Sequence, residues 1–374
     1  MSKPDLLEQA LAEHGLPSVS AAVFADGEVI WTQAVGDARP DTQYAIASIT
    51  KTFVAAALLE LRVELDEPLR FGTPRQLLSH TSGLQRELPG DAWATLEFPA
   101  REEVVARFDK AERVLPPGRF HYSNLGYLVL GELVAHRVGK PLEDAIQGLL
   151  LEPLALRRTT WDAEEPFARG FFRERPERPL VNGGTSASGG LWSTARDLAR
   201  WGSHLLVLDE LHRPYAHAGW DEAFGLGVEC VRVAGRELWG HEGITVGYRA
   251  VLLYDRDAKA GAAVLTNATQ PAGLRGLAAS LVPRSSPRQD EGAPAEIEGI
   301  LGSWWSEGVE HRLRWTGRLE SDDAVFAQEG TDHFRSAQGR EEGELLRVVR
   351  NEDGEPVELW WAGYPFRRER GYSY

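Results

Sequence analysis

Ser48 and Lys51 stand three residues apart at the head of an apolar run, Phe53-Val54-Ala55-Ala56-Ala57-Leu58-Leu59, which reads as the start of a buried helix. Residues i and i+3 share a helix face, so the hydroxyl and the amine are expected side by side. A serine hydroxyl needs a neighbouring base to become a nucleophile, and a lysine becomes a base only where burial and positive potential lower its pKa. The unpaired N–H groups of a helix start supply that potential and favour the anion of a tetrahedral intermediate. The plainer alternative makes Ser48 a helix cap and sends Lys51 to solvent. Lysine occurs otherwise only at Lys3, Lys110, Lys140 and Lys259, with arginine used elsewhere, which sets Lys51 apart. Two more stretches are candidates for chemistry. Tyr122-x-Asn124 precedes a helical pattern, and His241-Glu242-Gly243-Ile244 joins a polar pair to a glycine where a strand could pass close to a substrate.

The elements that must position these residues can be read from periodicity. Apolar spacing predicts a helix over 5–14, and strands are expected over 19–24 and 29–35, flanking residues 25–28, where Asp26-Gly27 signals a tight hairpin turn. The Ser48 helix is expected to end near Asp66-Glu67-Pro68, and most of the chain from there to about residue 215 reads as helical, including Arg75–His80 and Gly126–Val138. Gly183–Gly190 reads as a small-residue turn before a helix over 194–206, where Thr194 and Asp197 fit a capping box. Strands over 225–233, 237–240, 248–254 and 261–266 follow, with a helix over 272–281. This order implies an α+β fold: an antiparallel sheet flanked by helices with an inserted helical subdomain.

The stretch 283–294 has linker composition, which predicts a boundary between a domain over 1–285 and a small C-terminal all-β domain over 295–374, a barrel or curled sheet. Its tryptophans are expected to fill a core.

Composition narrows the partners. The 374 residues carry a net charge of −15, which disfavours nucleic acid and anionic membrane surfaces, since both reward clustered Lys and Arg. Cys230 is the only cysteine, excluding an intrachain disulfide and any zinc site with two thiolates. No apolar run approaches the ~18 residues of a membrane span, and the N-terminus lacks a signal-peptide core, so a cytoplasmic location is expected. His241-Glu242 has Thr245 where a zincin would have histidine. No metal or cofactor is expected.

Taken in order, Ala47–Phe53, Leu77–Leu84, Tyr122-x-Asn124, Ser186–Leu191 and Gly240–Gly243 resemble the motifs of the serine β-lactamase and penicillin-binding-protein superfamily. The branch with class C β-lactamases, D-alanyl-D-alanine carboxypeptidases, D-aminopeptidases and β-lactamase-like esterases is the most similar, over about residues 5–282. The resemblance implies that Ser48 is acylated, that Lys51 and Tyr122 share the proton transfers, and that Asn124 orients Lys51 and binds substrate. It implies an oxyanion hole from the N–H groups of Ser48 and Ile244, the latter just past Gly243. His80 belongs to a structural motif of the family. His241 stands where many relatives have a lysine that binds the carboxylate of β-lactams, and a histidine of pKa ~6.5 is mostly neutral at pH 7. Glu242 either repels anionic substrates from the rim or points away.

The expected function is a serine hydrolase acting through a Ser48 acyl-enzyme on a small ester, peptide or amide. The alternatives are a β-lactamase or D-Ala-D-Ala-type peptidase, and a non-catalytic binding protein that keeps the fold. Specificity is expected in the loops at 85–115 and 165–185. The oligomeric state is not encoded in any recognisable pattern.

Overall fold

Asp26 and Gly27 adopt φ values of 48° and 92°, the positive values that a two-residue turn needs to match the twist of its strands. They join β1 (Ser18–Ala25) to β2 (Glu28–Gly36). In the computed structural model, which describes residues 2–178, 180–270, 272–284 and 292–369, the chain forms two units, Met1–Arg284 and Ser285–Tyr374.

The first unit is built on an eight-stranded sheet. Its later strands are β3 (Ala216–His217), β4 (Glu222–Phe224), β5 (Glu229–Val233), β6 (Arg236–Thr245), β7 (Tyr248–Asp255) and β8 (Ala260–Thr266). The order is β2-β1-β8-β7-β6-β5-β4-β3, with every neighbouring pair antiparallel. Pairing of β1 with β8, Val19 opposite Thr266, brings the two ends of the unit together.

Both faces of this sheet are buried, and side-chain alternation divides them. Val19, Ala21 and Val23 of β1, with Val251 and Leu253 of β7, join a core under α1 (Lys3–His14) and a C-terminal helix, Leu274–Leu281. Ala22 and Phe24, with Leu252 and Tyr254, face a larger core shared with the helical insert. That insert includes α2 (Thr50–Glu60), α3 (Asn124–Val138) and α4 (Ala195–Leu205), and Leu274–Leu281 is α5. Every residue of α2 from Thr50 to Leu58 is buried, as a helix apolar all round must be.

Three local expectations are corrected. Helix α2 stops at Glu60, well before Asp66, because Arg62 adopts a left-handed φ of 49° and the Val63 N–H turns back to the Leu58 carbonyl at 3.1 Å. Only half of the capping box forms. Thr194 Oγ1 accepts from the Asp197 N–H at 3.1 Å, while the Asp197 carboxylate accepts from the Arg158 N–H at 2.8 Å instead of returning to the cap. Strand β6 continues past Gly240 to Thr245, because β7 supplies backbone partners for its whole length whereas β5 pairs only as far as Gly240.

The second unit is an antiparallel meander of β9 (Gly302–Ser306), β10 (Val309–Trp315), β11 (Leu319–Glu320), β12 (Ala324–Gly330), β13 (His333–Gly339), β14 (Leu345–Arg350), β15 (Pro356–Trp361) and β16 (Tyr364–Phe366). Backbone hydrogen bonds from Trp305 N–H to Arg367 O (2.7 Å) and back (3.0 Å) join its ends into a nearly closed barrel. Trp304 and Trp361 are buried in its core, as expected of them. At one end α6 (Ala295–Glu298) plugs the barrel, with Ile297 and Ile300 in the core and Trp304 Nε1 donating to the Ile300 carbonyl at 2.7 Å. Within the stretch 283–294, residues 285–291 lie outside the described residues.

Each unit thus has its own closed core, Leu7 to Val282 in the first and Ile297 to Phe366 in the second. A protein truncated after Arg284 is expected to stay soluble and unfold in one cooperative thermal transition. Aggregation on expression, or loss of that transition in calorimetry, would show that the first unit depends on the second.

Candidate active site

Ser48 lies in a single 3₁₀ turn, Ala47–Ile49, placed just ahead of α2 rather than inside it. Ala47 holds a left-handed φ of 46°, a conformation costly for a residue with a Cβ and one that concentrates at functional sites. One turn on, Lys51 is fully buried. Its Nζ lies 2.9 Å from Ser48 Oγ and 2.6 Å from the Ser188 carbonyl oxygen. A carbonyl only accepts, so Nζ must donate to Ser188. A neutral amine then keeps its lone pair for the Ser48 proton. Burial, reinforced by the Arg86 cation and opposed by Glu87 and Glu229, lowers the lysine from its ordinary 10.5 to about 7. That change amounts to on the order of 5 kcal/mol in favour of the neutral amine.

The Tyr122 side is held from below by His80. His80 is buried with a left-handed φ of 57°, and its Nδ1 accepts the Ser123 N–H at 3.1 Å. That bond assigns the ring proton to Nε2. Its ring stacks on Tyr122 with centroids 4.1 Å apart, and the Arg86 guanidinium lies 4.8 Å from the Tyr122 ring. Burial pushes the pKa of the Tyr122 hydroxyl, which lies beside Ser48, well above the ordinary value, so the phenol holds its proton at neutral pH. Ser123 caps α3 by accepting from the Gly126 N–H at 3.0 Å, which turns Asn124 inward. Asn124 does not reach Lys51 as expected. Its amide donates to Glu87, and the lysine contacts are Ser48 and the Ser188 carbonyl instead.

The free end of β6 forms the other wall. A Cβ on Gly243 would stand 2.0 Å from the Ile46 carbonyl oxygen, so only glycine lets this strand lie against the backbone that leads into Ser48. Ile244, the next residue, lines the cavity beside Ser48. His241 is buried behind that wall and is not among the cavity residues. Its Nδ1 lies 3.4 Å from Glu229 Oε1 and 2.6 Å from the Glu242 carbonyl, which can only accept. The proton is therefore on Nδ1. Burial, with the Lys51 charge nearby, lowers the imidazole to about 3, so it is neutral at physiological pH. Glu242 points away from the cavity and pairs with Arg275 on α5.

The cavity over Ser48 measures about 440 Å³, within the range of small-molecule sites. Arg86, Glu87, Trp93 and Phe98 line it from the loop at 85–115, and Asn182 from the loop at 165–185. The sequence reading named these loops but not these residues. It also missed the Ser188 carbonyl, a backbone acceptor that no side chain announces, and Glu229, a lone carboxylate in an apolar strand. Glu229 is buried beside His241, with Arg275 at 3.8 Å. Burial, reinforced by the nearby Glu242 and Glu222 charges, raises its carboxyl from 4.5 to about 8.

Glu229 therefore makes stability fall with pH. Folded, the carboxyl keeps its proton up to about 8, whereas the unfolded chain releases it near 4.5, so the folded state loses ground steadily between these values. Glu229→Gln, which cannot ionise, should match the native protein near pH 4 and exceed it at pH 8 by up to on the order of 5 kcal/mol. Denaturant titrations at both pH values measure the gap. A gap that does not widen with pH would mean that Glu229 is ionised in the folded state.

A family model described as Beta-lactamase matches residues 4–282, and one described as a domain of unknown function (DUF7586) matches residues 293–368. The chain is 30% identical to D-alanyl-D-alanine-carboxypeptidase/endopeptidase AmpH of Escherichia coli (strain K12) over 52% of this chain and 58% of that one. It is 29% identical to esterase EstB of Burkholderia gladioli, over 46% of this chain and 54% of the other. A crystal structure of a D-stereospecific amidohydrolase from Streptomyces sp. aligns with a TM-score of 0.64 at 26% identity, covering 74% of this chain and 96% of that one. The chain spans about half the length of the curated relatives it matches. With the match running from before β1 to the end of α5 and through every motif around Ser48, the chain belongs to the Beta-lactamase family.

Proposed function

We propose that the protein is a serine hydrolase that cleaves a small ester or a peptide or amide bond through an acyl-enzyme on Ser48. The observation that carries this reading is the buried Lys51 amine, 2.9 Å from the Ser48 hydroxyl with a pKa near neutrality. Neutral Lys51 takes the Ser48 proton as the oxygen attacks the carbonyl carbon. Tyr122, protonated and beside Ser48, passes a proton to the leaving group. Backbone N–H groups of Ser48 and Ile244 receive the oxyanion, and water then releases the acyl group by the reverse proton path. Asn124 and Glu87 form the wall that meets the acyl side chain. His241, Gly243 and Ile244 set that strand against Ser48, with His241 acting from behind the wall rather than on the substrate. The relatives' peptide, ester and amide chemistry fits this reading.

A non-catalytic role is tested by labelling. A fluorophosphonate should add once per chain in intact-mass analysis, Ser48→Ala should abolish the adduct, and the labelling rate should rise with pH through about 7 as Lys51 loses its proton. Labelling that persists in Ser48→Ala, or that shows no such rise, would refute this assignment of nucleophile and base.

One observation favours a second reading. Arg86 brings a permanent cation to the cavity wall, where it could hold the carboxylate of a penicillin or a D-alanyl peptide. Glu87, beside it on the same wall, offsets that charge, and neutral His241 adds none. Without a net cation a β-lactam forfeits a charge-assisted hydrogen bond, worth roughly one to two orders of magnitude in affinity. Short-chain p-nitrophenyl esters and D-amino acid amides are therefore expected to be turned over with a higher kcat/KM than penicillin G. Equal or faster penicillin hydrolysis by the same preparation would install the β-lactamase reading.

A further inference from the structure

The barrel of the second unit holds a cavity of about 580 Å³, larger than the one over Ser48. Its lining comes from the β9–β10 turn, Asp323, the β13–β14 turn and the β15–β16 turn, which an up-and-down order places at one end of the barrel. The other end is closed by α6, where Arg350 Nη2 donates to the Glu296 carbonyl at 3.0 Å. This is a plugged barrel with one open mouth, an architecture that leaves room for a ligand among inward side chains.

Two inward groups at that mouth are unsatisfied. Ser306 and Trp361 are 7% and 6% exposed. Ser306 Oγ and Trp361 Nε1 are buried and lack a hydrogen-bond partner among the described residues, and no other described side-chain atom of this unit is in that condition. Both line the cavity. Buried polar atoms are nearly always paired, so two orphans on residues that line one cavity point to a missing partner there. An indole N–H only donates, which requires an acceptor oxygen or nitrogen from the occupant. Around it the wall is aromatic: Trp361 and Phe366 lie 6.1 Å apart, and His311 meets the Phe366 ring edge-on at 5.0 Å. The rim is acidic, with Glu307, Asp323 and Glu341 against the single guanidinium of Arg340, which already sits 3.8 Å from Glu341. An anion would be repelled at that entrance.

We propose that the barrel is a small-molecule binding module for an uncharged or cationic amphipathic molecule. Its apolar body lies against Trp361 and Phe366, and its carbonyl or hydroxyl oxygen accepts from Trp361 Nε1 and meets Ser306. This site is independent of the Ser48 chemistry.

The test uses the full chain and Nile red, an uncharged fluorescent dye with a ring carbonyl, with the anionic dye 8-anilinonaphthalene-1-sulfonate in parallel. Nile red is expected to bind saturably at one site per chain. Trp361→Phe keeps the aromatic wall but removes the donor and should weaken binding roughly tenfold, the worth of one hydrogen bond. Ser306→Leu fills the mouth and should abolish binding, and it decides the matter alone if Trp361→Phe fails to fold by circular dichroism. The anionic dye should bind at least about tenfold more weakly than Nile red. No saturable Nile red binding would overturn the proposal and leave a water-filled mouth. Binding unchanged in a folded Ser306→Leu, or equal affinity for the anionic dye, would overturn it as well.

Discussion

Burying an amine whose hydrogen-bond partners are a hydroxyl and a carbonyl rather than a carboxylate is the constraint on which the first unit turns. Lys51 sits in a helix whose residues from Thr50 to Leu58 are all buried, and its polar contacts are one hydroxyl and one carbonyl. A charged ammonium there would have to be desolvated at high cost, so the amine gives up its proton near neutrality. Each neighbouring element serves that state. The 183–190 segment turns the Ser188 carbonyl toward Nζ and fixes the direction of the lone pair, and Arg86 adds positive potential from the cavity side. The same desolvation that makes Lys51 a base keeps Tyr122 protonated. One physical cause thus separates the two roles in proton transfer.

Neutrality extends behind the site. His80, under Tyr122, and His241, behind β6, are both held below the ordinary imidazole value by burial, and Lys51 adds to both effects. Glu229 is driven to its neutral acid. The pocket's backing is therefore a set of uncharged rings and a carboxylic acid, stacked and hydrogen-bonded. Charge lies on the cavity wall at Arg86 and Glu87 and in the pairs that Arg275 makes with Glu222 and Glu242. Among the described residues that line the cavity over Ser48, Arg86 is the one permanent cation. His241, neutral where it is buried, leaves no unpaired buried charge behind that strand.

Much of this was legible in the residues themselves. The i, i+3 spacing of Ser48 and Lys51 placed the hydroxyl and amine together, because helical and 3₁₀ turns both bring such residues to one face. Short apolar or alternating runs and turn residues announced β1, β2, β7 and β8, and the aromatic strands after residue 300 announced the β-unit, since period and turn chemistry are local properties of the chain. Glycine at 243 was legible as a close approach, and the family motifs carried the rest of the α+β architecture. What only the tertiary structure decided depends on partners distant in sequence. The end of α2 at Glu60 was set by a left-handed Arg62, and the length of β6 by pairing with β7. Asn124 turned to Glu87 rather than Lys51, His241 lost its place on the cavity wall to burial against Glu229, and Glu242 was drawn off by Arg275. Burial and long-range pairing set the protonation and direction of a side chain, and no spacing along one chain encodes them.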